Sequence, residues 1–373
     1  LNMTVHRLIG SPLAAIIFLV TAGTVSAQTQ KELLDELDRT IEEAESYVSA
    51  KELRIKTIEN TLHSRGVSPE RQYRIYGELF DEYQPFNYGK AVETLDKQME
   101  IAMLLGDKSK LNDVYLKEAM LNTAAGEFLE ARNDLARVDT TIFTKEQEIA
   151  YCNVQQRFWF DYDENLKGAD KSMLRKAAYY RERLLALADP SSSLSRYVTV
   201  RKYIDEKYFA QADFINRHSL SRMDPASHDY ANLAYFQARI CESLNRREEM
   251  KNWFIRSAMA DIKTATKDNA SLFSLADALF KDGDYARAFK YSSFSLEDAI
   301  AFDAKLRQWQ ISAILPAVQK SYTDIQQTHQ KKTSNMLVAM YVLVFLLLGG
   351  SFALFRLYRR QIEYSRRISE MNK

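Results

Sequence analysis

Twenty consecutive residues without a charge, Met336 to Phe355, constrain this chain more than any other feature. An α-helix needs about 20 apolar residues to cross the hydrocarbon of a bilayer, where every backbone polar group must be satisfied within the helix itself. The run therefore predicts one membrane-spanning helix close to the end of the 373-residue sequence. The other end carries a second targeting signal. His6 and Arg7 precede the apolar stretch from Leu8 to Val20, and Val25-Ser26-Ala27 supplies small residues for a signal peptidase. A cleaved signal peptide over residues 1–27 is expected, leaving Gln28 first.

These two signals predict a direction. A signal at the front carries the N-terminus across the membrane, and the later span halts transfer with the tail in the cytoplasm. Arg356, Arg359, Arg360, Arg366, Arg367 and Lys373 come after the span, against Lys320, Lys331 and Lys332 before it, which is the positive-inside bias. The expected placement is a single-pass protein of the inner membrane with a periplasmic N-terminal part and a cytoplasmic C-terminus.

Between the signals, 11 Gly and 6 Pro leave little material for hairpins, so the fold class is expected to be all-α. Charges nearly cancel, with 51 Lys+Arg and 50 Asp+Glu interspersed, which argues against a nucleic-acid footprint in the chain. Cys152 and Cys241 each lie inside an amphipathic helical pattern and read as buried small hydrophobes rather than a disulfide.

The helical pattern repeats. Leu272, Leu275, Ala276 and Leu279 precede Gly283-Asp284-Tyr285 and then Ala288; Tyr115 and Ala119 precede Gly126-Glu127-Phe128 and then Ala131 and Leu135. In each copy a small residue permits close helix approach and the glycine can end the first helix in the left-handed conformation. Weaker copies fall around Tyr76, Gly77, Phe80, Ala91 and Leu95; around Ala238, Cys241, Trp253, Phe254 and Ala258; and from Ile149 through Trp159 to Ala177, Tyr180 and Leu184. Residues from Ser192 to Ser219 read as helical with a degenerate register. Four or five units of tetratricopeptide type are expected, stacked into an α-α superhelical solenoid because no pair can bury its apolar face alone. The predicted organisation is an N-terminal helical capping region over 28–70, the repeat domain over 71–329, the transmembrane helix over 336–355 and a basic juxtamembrane helix over 356–373. No glycine or proline interrupts Ala317 to Leu348, so the last solenoid helix is expected to run on into the span.

No catalytic constellation is legible. His63, His218, His228 and His329 stand in no paired-ligand spacing, and there is neither a nucleophile elbow nor a phosphate loop. Asp161, Asp163 and Asn165 match the first ligands of a calcium loop, but Leu166 replaces the turn glycine and Ser172 the closing glutamate. The expectation is a non-enzyme with no catalytic, cofactor-binding or metal-ligating residues and no cofactor. Its expected partners are a protein or peptide on the concave solenoid face and the membrane. A second copy, paired through Gly349 and Ala353 as a homodimer, is a further candidate. Aromatic groups such as Phe158-Trp159-Phe160, Tyr179-Tyr180 and Tyr208-Phe209 are expected mostly in the core, with a few as anchors for peptide.

The order of these features, with Gly77-Glu78-Leu79-Phe80-Asp81-Glu82-Tyr83 as the local match, resembles a family of bacterial envelope proteins carrying a domain of unknown function. The resemblance implies a tetratricopeptide-repeat transmembrane regulator with a cytoplasmic coiled coil and a DNA-binding or kinase output domain beyond the span. The sequence departs from that pattern by ending at Lys373, 18 residues past the membrane run. A fragment whose output domain lies further on is the expectation. Sensing and signalling is then the implied function, with an anchored scaffold for an envelope complex as the alternative.

Overall fold

The computed structural model describes residues 29–371 except 63, 65, 167, 169, 170, 268, 269, 303 and 304. The expected signal peptide lies outside the described residues. Among those described there are fifteen α-helices and one short 3-10 turn, and no strand. The chain divides into two compact units, 1–272 and 273–373.

The first unit begins with α1 (Gln30–Glu42) and α2 (Ala44–Leu62). Thr29 and Glu32 close a capping box at the start of α1, satisfying two backbone donors that the first turn leaves orphaned. Five pairs come next: α3 (Pro69–Tyr83) with α4 (Tyr88–Leu104), α5 (Lys108–Ala125) with α6 (Phe128–Arg137), α7 (Lys145–Asn165) with α8 (Lys171–Leu187), α9 (Ser193–Asp205) with α10 (Phe209–Leu220), and α11 (His228–Ser243) with α12 (Arg247–Lys263). Within every pair the two helices pack on each other; successive pairs meet through α4 with α5, α5 with α7, α8 with α9 and α9 with α11. Small buried residues sit at the closest approaches, with Ala91, Ala119, Ala131, Ala212, Ala234 and Ala238 fully covered.

One turn geometry recurs, and it is broader than its glycine version. At Gly126 the amide of Glu127 reaches the carbonyl of Asn122 at 2.8 Å and that of Gly126 reaches Thr123 at 3.2 Å, the two bonds of a Schellman closure. The same pair of bonds closes α9 at Lys207 (Tyr208 to Tyr203, 2.8 Å; Lys207 to Ile204, 3.0 Å) and α11 at Asn245 (Arg246 to Cys241, 2.8 Å; Asn245 to Glu242, 3.0 Å). Lys207 and Asn245 occupy the left-handed region, with φ of 62° and 57°, which costs a residue with a Cβ more than it costs glycine. The stretch from Ser192 to Ser219, without register in the sequence, is therefore a further regular pair whose turn residue is a lysine.

The two N-terminal helices have different neighbours. While α2 abuts α3, α1 lies along α12 and buries Leu33, Leu34 and Leu37. Gln30 donates to Asn252 at 3.3 Å, and the amide of Lys267 donates to the carbonyl of Pro85 at 2.7 Å, so the start and the end of the first unit are bonded to each other.

The second unit contains α13 (Ser271–Asp282), α14 (Tyr285–Phe302) and α15 (Lys305–Met371). Gly283, at φ 87°, ends α13 with the same closure, and the rings of Phe280 and Tyr285 meet edge-on at 5.4 Å across it. α15 is one 67-residue helix, about 100 Å long, and Pro316 lies inside it. Its first turns pack on α14, where Ile311 and Val318 are buried and Tyr322 stacks on Phe289 at 5.1 Å. From Met336 onward the described side chains are exposed. The run is thus a helix long and apolar enough to span a membrane, continuous with the helix that packs on α14.

Candidate functional site

First helices of the pairs carry cations laid against aromatic rings of neighbouring repeats. On α5, Lys117 places its ammonium 5.1 Å from the ring centroid of Phe80 on α3 and donates to Gln98 Oε1 at 3.4 Å. Gln98 in turn donates to the carbonyl of Tyr73 at 2.9 Å. Helix α3 has Gly77 where a Cβ would come within 3.0 Å of the Gln98 amide, so a side chain there would push this bridge aside. Burial lowers the Lys117 pKa and raises that of nearby Asp113, whose carboxylate accepts from Gln147 on α7 at 2.7 Å. Further along, Arg201 of α9 lies 3.8 Å from the Phe160 ring of α7 and 5.7 Å from Phe236 of α11. Asp205 ties this position together, accepting from Arg201 at 3.3 Å and from the buried Arg181 at 2.7 Å. Successive repeats are thereby joined through charge and π-face contacts.

A cleft of about 510 Å³ opens between α7 and α8, lined by Gln155 and Trp159 on one side and by Arg175, Lys176, Tyr179 and Tyr180 on the other. A smaller hollow of about 380 Å³ adjoins it, sharing Tyr179 and Tyr180 and reaching Phe143, Tyr151 and Arg183. The cleft's polar atoms are held in place. Trp159 Nε1–H donates to Gln155 Oε1 at 2.9 Å, Gln155 Nε2 donates to the Tyr151 hydroxyl at 2.8 Å, and Lys176 sits 3.9 Å over the Trp159 ring. Burial pushes Tyr180 up to about 12, so its hydroxyl stays protonated at any physiological pH. The lining thus combines aromatic faces with cationic side chains.

Among the described residues, no group of three or more His, Cys, Asp or Glu residues is placed to hold a metal ion. Asp161 and Asp163 both lie within α7, so their side chains point roughly 200° apart, and Asp161 is engaged by Arg157 at 3.2 Å. Asp161, Asp163 and Asn165 thus lie at the C-terminal end of one helix. His218 lies on α10, His228 on α11 and His329 on α15, each on a separate element; His63 lies outside the described residues. Cys152 and Cys241 are buried free thiols, raised in pKa by that burial.

One half-buried carboxylate is set apart by its environment. Glu118 faces the α5–α6 interface beside Asp134, and burial, then the Asp134 charge, raise its pKa to about 7 against the partial relief of Arg137 at 3.4 Å. Asp134 itself accepts from Asn122 at 2.8 Å.

Of the aromatic groups visible in the sequence, Phe158 is core, Trp159 and Tyr180 line the cleft, Phe160 underlies Arg201, and Tyr179 and Tyr208 are exposed. Lys117, Arg201, Gln155 and Lys176 carry no sequence signal of their own. Each becomes legible only once the helix opposite is known.

The profile of the family described as the SusR N-terminal TPR domain matches residues 41–313, nearly three quarters of the chain. That span takes in all of the repeat pairs and stops within α15, before the apolar run. No curated protein matches the chain.

Proposed function

Because this chain belongs to the family of the SusR N-terminal TPR domain, we propose that it is the sensory part of a membrane-anchored regulator. The repeat array binds a protein or peptide, and α15 relays that event across the inner membrane to a transcriptional or signalling output. The array lies on the periplasmic side and the arginine-rich end of α15 on the cytoplasmic side, as the charge distribution about the span favours. The protein acts by binding, not by catalysis. Helical repeats supply extended interaction surfaces rather than chemistry, and the cation-on-ring face and the α7–α8 cleft are surfaces of that kind.

The observation that carries the reading is the continuity of α15. A helix packed on α14 at one end and running unbroken through the apolar segment transmits a rotation or a tilt, which a flexible tether would absorb. Inserting alanines after Gln330, in the exposed polar stretch, tests it. One or two residues rotate everything beyond by about 100° or 200°, whereas seven restore the phase to within about 20°. In the native host, the one- and two-residue insertions are expected to change the set of expressed transcripts and the seven-residue insertion to restore it. An output indifferent to phase would contradict relay and favour an anchored scaffold.

A further inference from the structure

The cleft between α7 and α8 and the hollow beside it differ in charge. Arg175 and Lys176, both exposed, line the cleft, and no carboxylate lines it with them. Among the described residues neither cation is paired with a carboxylate; Lys176 lies instead against the face of Trp159. The adjoining hollow is balanced. Its arginine, Arg183, donates through Nε to Glu148 at 2.8 Å and through Nη1 to the Tyr179 hydroxyl at 3.3 Å, and Phe143 and Tyr151 supply aromatic walls. Tyr179 and Tyr180, rings edge-on at 5.1 Å, form a wall that both spaces share.

Two hollows on either side of one wall suit an extended chain. Residues i and i+2 of such a chain point the same way and stand about 6.6 Å apart, so one side chain can enter each space. A compact molecule would fill one and leave the other empty. The charges then say which side chain goes where. Two cations without an anionic partner take a carboxylate, with charge-assisted hydrogen bonds to both. The balanced hollow takes an uncharged apolar side chain, because a further charge would enter it without a partner. We propose that this pair of hollows is a peptide site that reads an extended segment in which Glu or Asp stands two residues from an aromatic or large aliphatic residue. The proposal rests on the reading of the array as a peptide-binding domain, and gives that reading a place and a ligand chemistry. The bond from Trp159 to Gln155 and from Gln155 to Tyr151 fixes these walls before a ligand arrives, which leaves less side-chain ordering to be lost on binding.

The test is fluorescence anisotropy of the detergent-solubilised full chain with amidated peptides carrying a neutral fluorophore. The probes are Ser-Glu-Ala-Phe-Ser and Ser-Phe-Ala-Glu-Ser, each also with Gln or Lys in place of Glu. One Glu peptide is expected to bind at least about tenfold more tightly than its Gln counterpart, with a preference that shrinks as salt is raised. Replacing its Phe by Ala should weaken it as well. Arg175→Glu with Lys176→Glu, two exposed positions, is expected to reverse the order so that the Lys peptide binds best. Equal binding of Glu and Gln peptides would overturn the charge recognition. An order unchanged in the double variant would place the acidic peptide elsewhere on the chain, overturning the cleft while leaving a peptide-binding array in place. No binding by any probe would overturn the site, and the relay would still be judged separately by the alanine insertions.

Discussion

The repeat array and the distal two thirds of α15 are both helical, but opposite forces hold them. In the array each helix buries a face against a neighbour, and residues such as Leu95, Leu184 and Leu275 have no exposed surface at all. Beyond Tyr322, the described side chains of α15 are exposed. By length and composition the helix is suited to lie in a bilayer, which is where the proposed function places it. One region is therefore defined by what it packs within itself and the other by what it meets. That is the division expected of a binding domain and the element that anchors it.

Matched truncations in the two regions give the largest expected contrast. Leu95→Ala leaves a cavity in the α3–α4 core and should lower the unfolding free energy of the array by about 3 kcal/mol, whereas Leu343→Ala in the apolar run should leave the array's chemical denaturation midpoint unmoved. A comparable loss from both would erase the distinction.

The next effect is a pH dependence confined to the array. Glu118 has a folded-state pKa of about 7, raised above its unfolded value, so its contribution is fully present below about pH 4.5 and is lost as pH rises to 7. Denaturation midpoints should fall across that window by an amount on the order of 2 kcal/mol, and Glu118→Gln should flatten the curve. Asp113 and Asp205, also raised by burial, act in the same direction. An array that gains stability from pH 5 to 7 would contradict the buried environment assigned to Glu118.

A smaller gain tests the repeat turn. Lys207→Gly relieves a left-handed lysine within an intact Schellman closure and should raise stability by about 1 kcal/mol; the same substitution at Lys202, within α9, should lower it by a similar amount. At the bottom of the scale, Lys90→Ala removes an exposed ion pair with Glu93 and should change nothing measurable.

These expectations also show what a sequence can and cannot reveal here. The turns at Gly126 and Gly283 were legible because glycine announces a left-handed residue, and the apolar run because bilayer thickness fixes a length. Lys207 and Asn245 adopt the same backbone without glycine's signature, so the α9–α10 pair stayed hidden in the pattern. The contact of α1 with α12 joins residues more than 200 positions apart, as in the bond from Gln30 to Asn252, and no local periodicity encodes it. The cleft between α7 and α8 was hidden for the same reason: Trp159 and Lys176 acquire meaning only when the helix pair brings the ammonium over the ring.

Site-specific thiol labelling in intact cells tests most directly the claim that α15 separates a packed receiving region from a tail on the far side of a membrane. Cysteines introduced at Thr328 and Ser365, flanking the apolar run, are exposed, and the native pair is buried. With the outer membrane permeabilised and the inner membrane intact, an impermeant maleimide should modify T328C and spare S365C until detergent is added. Equal labelling of both before detergent, or labelling of S365C alone, would contradict the account.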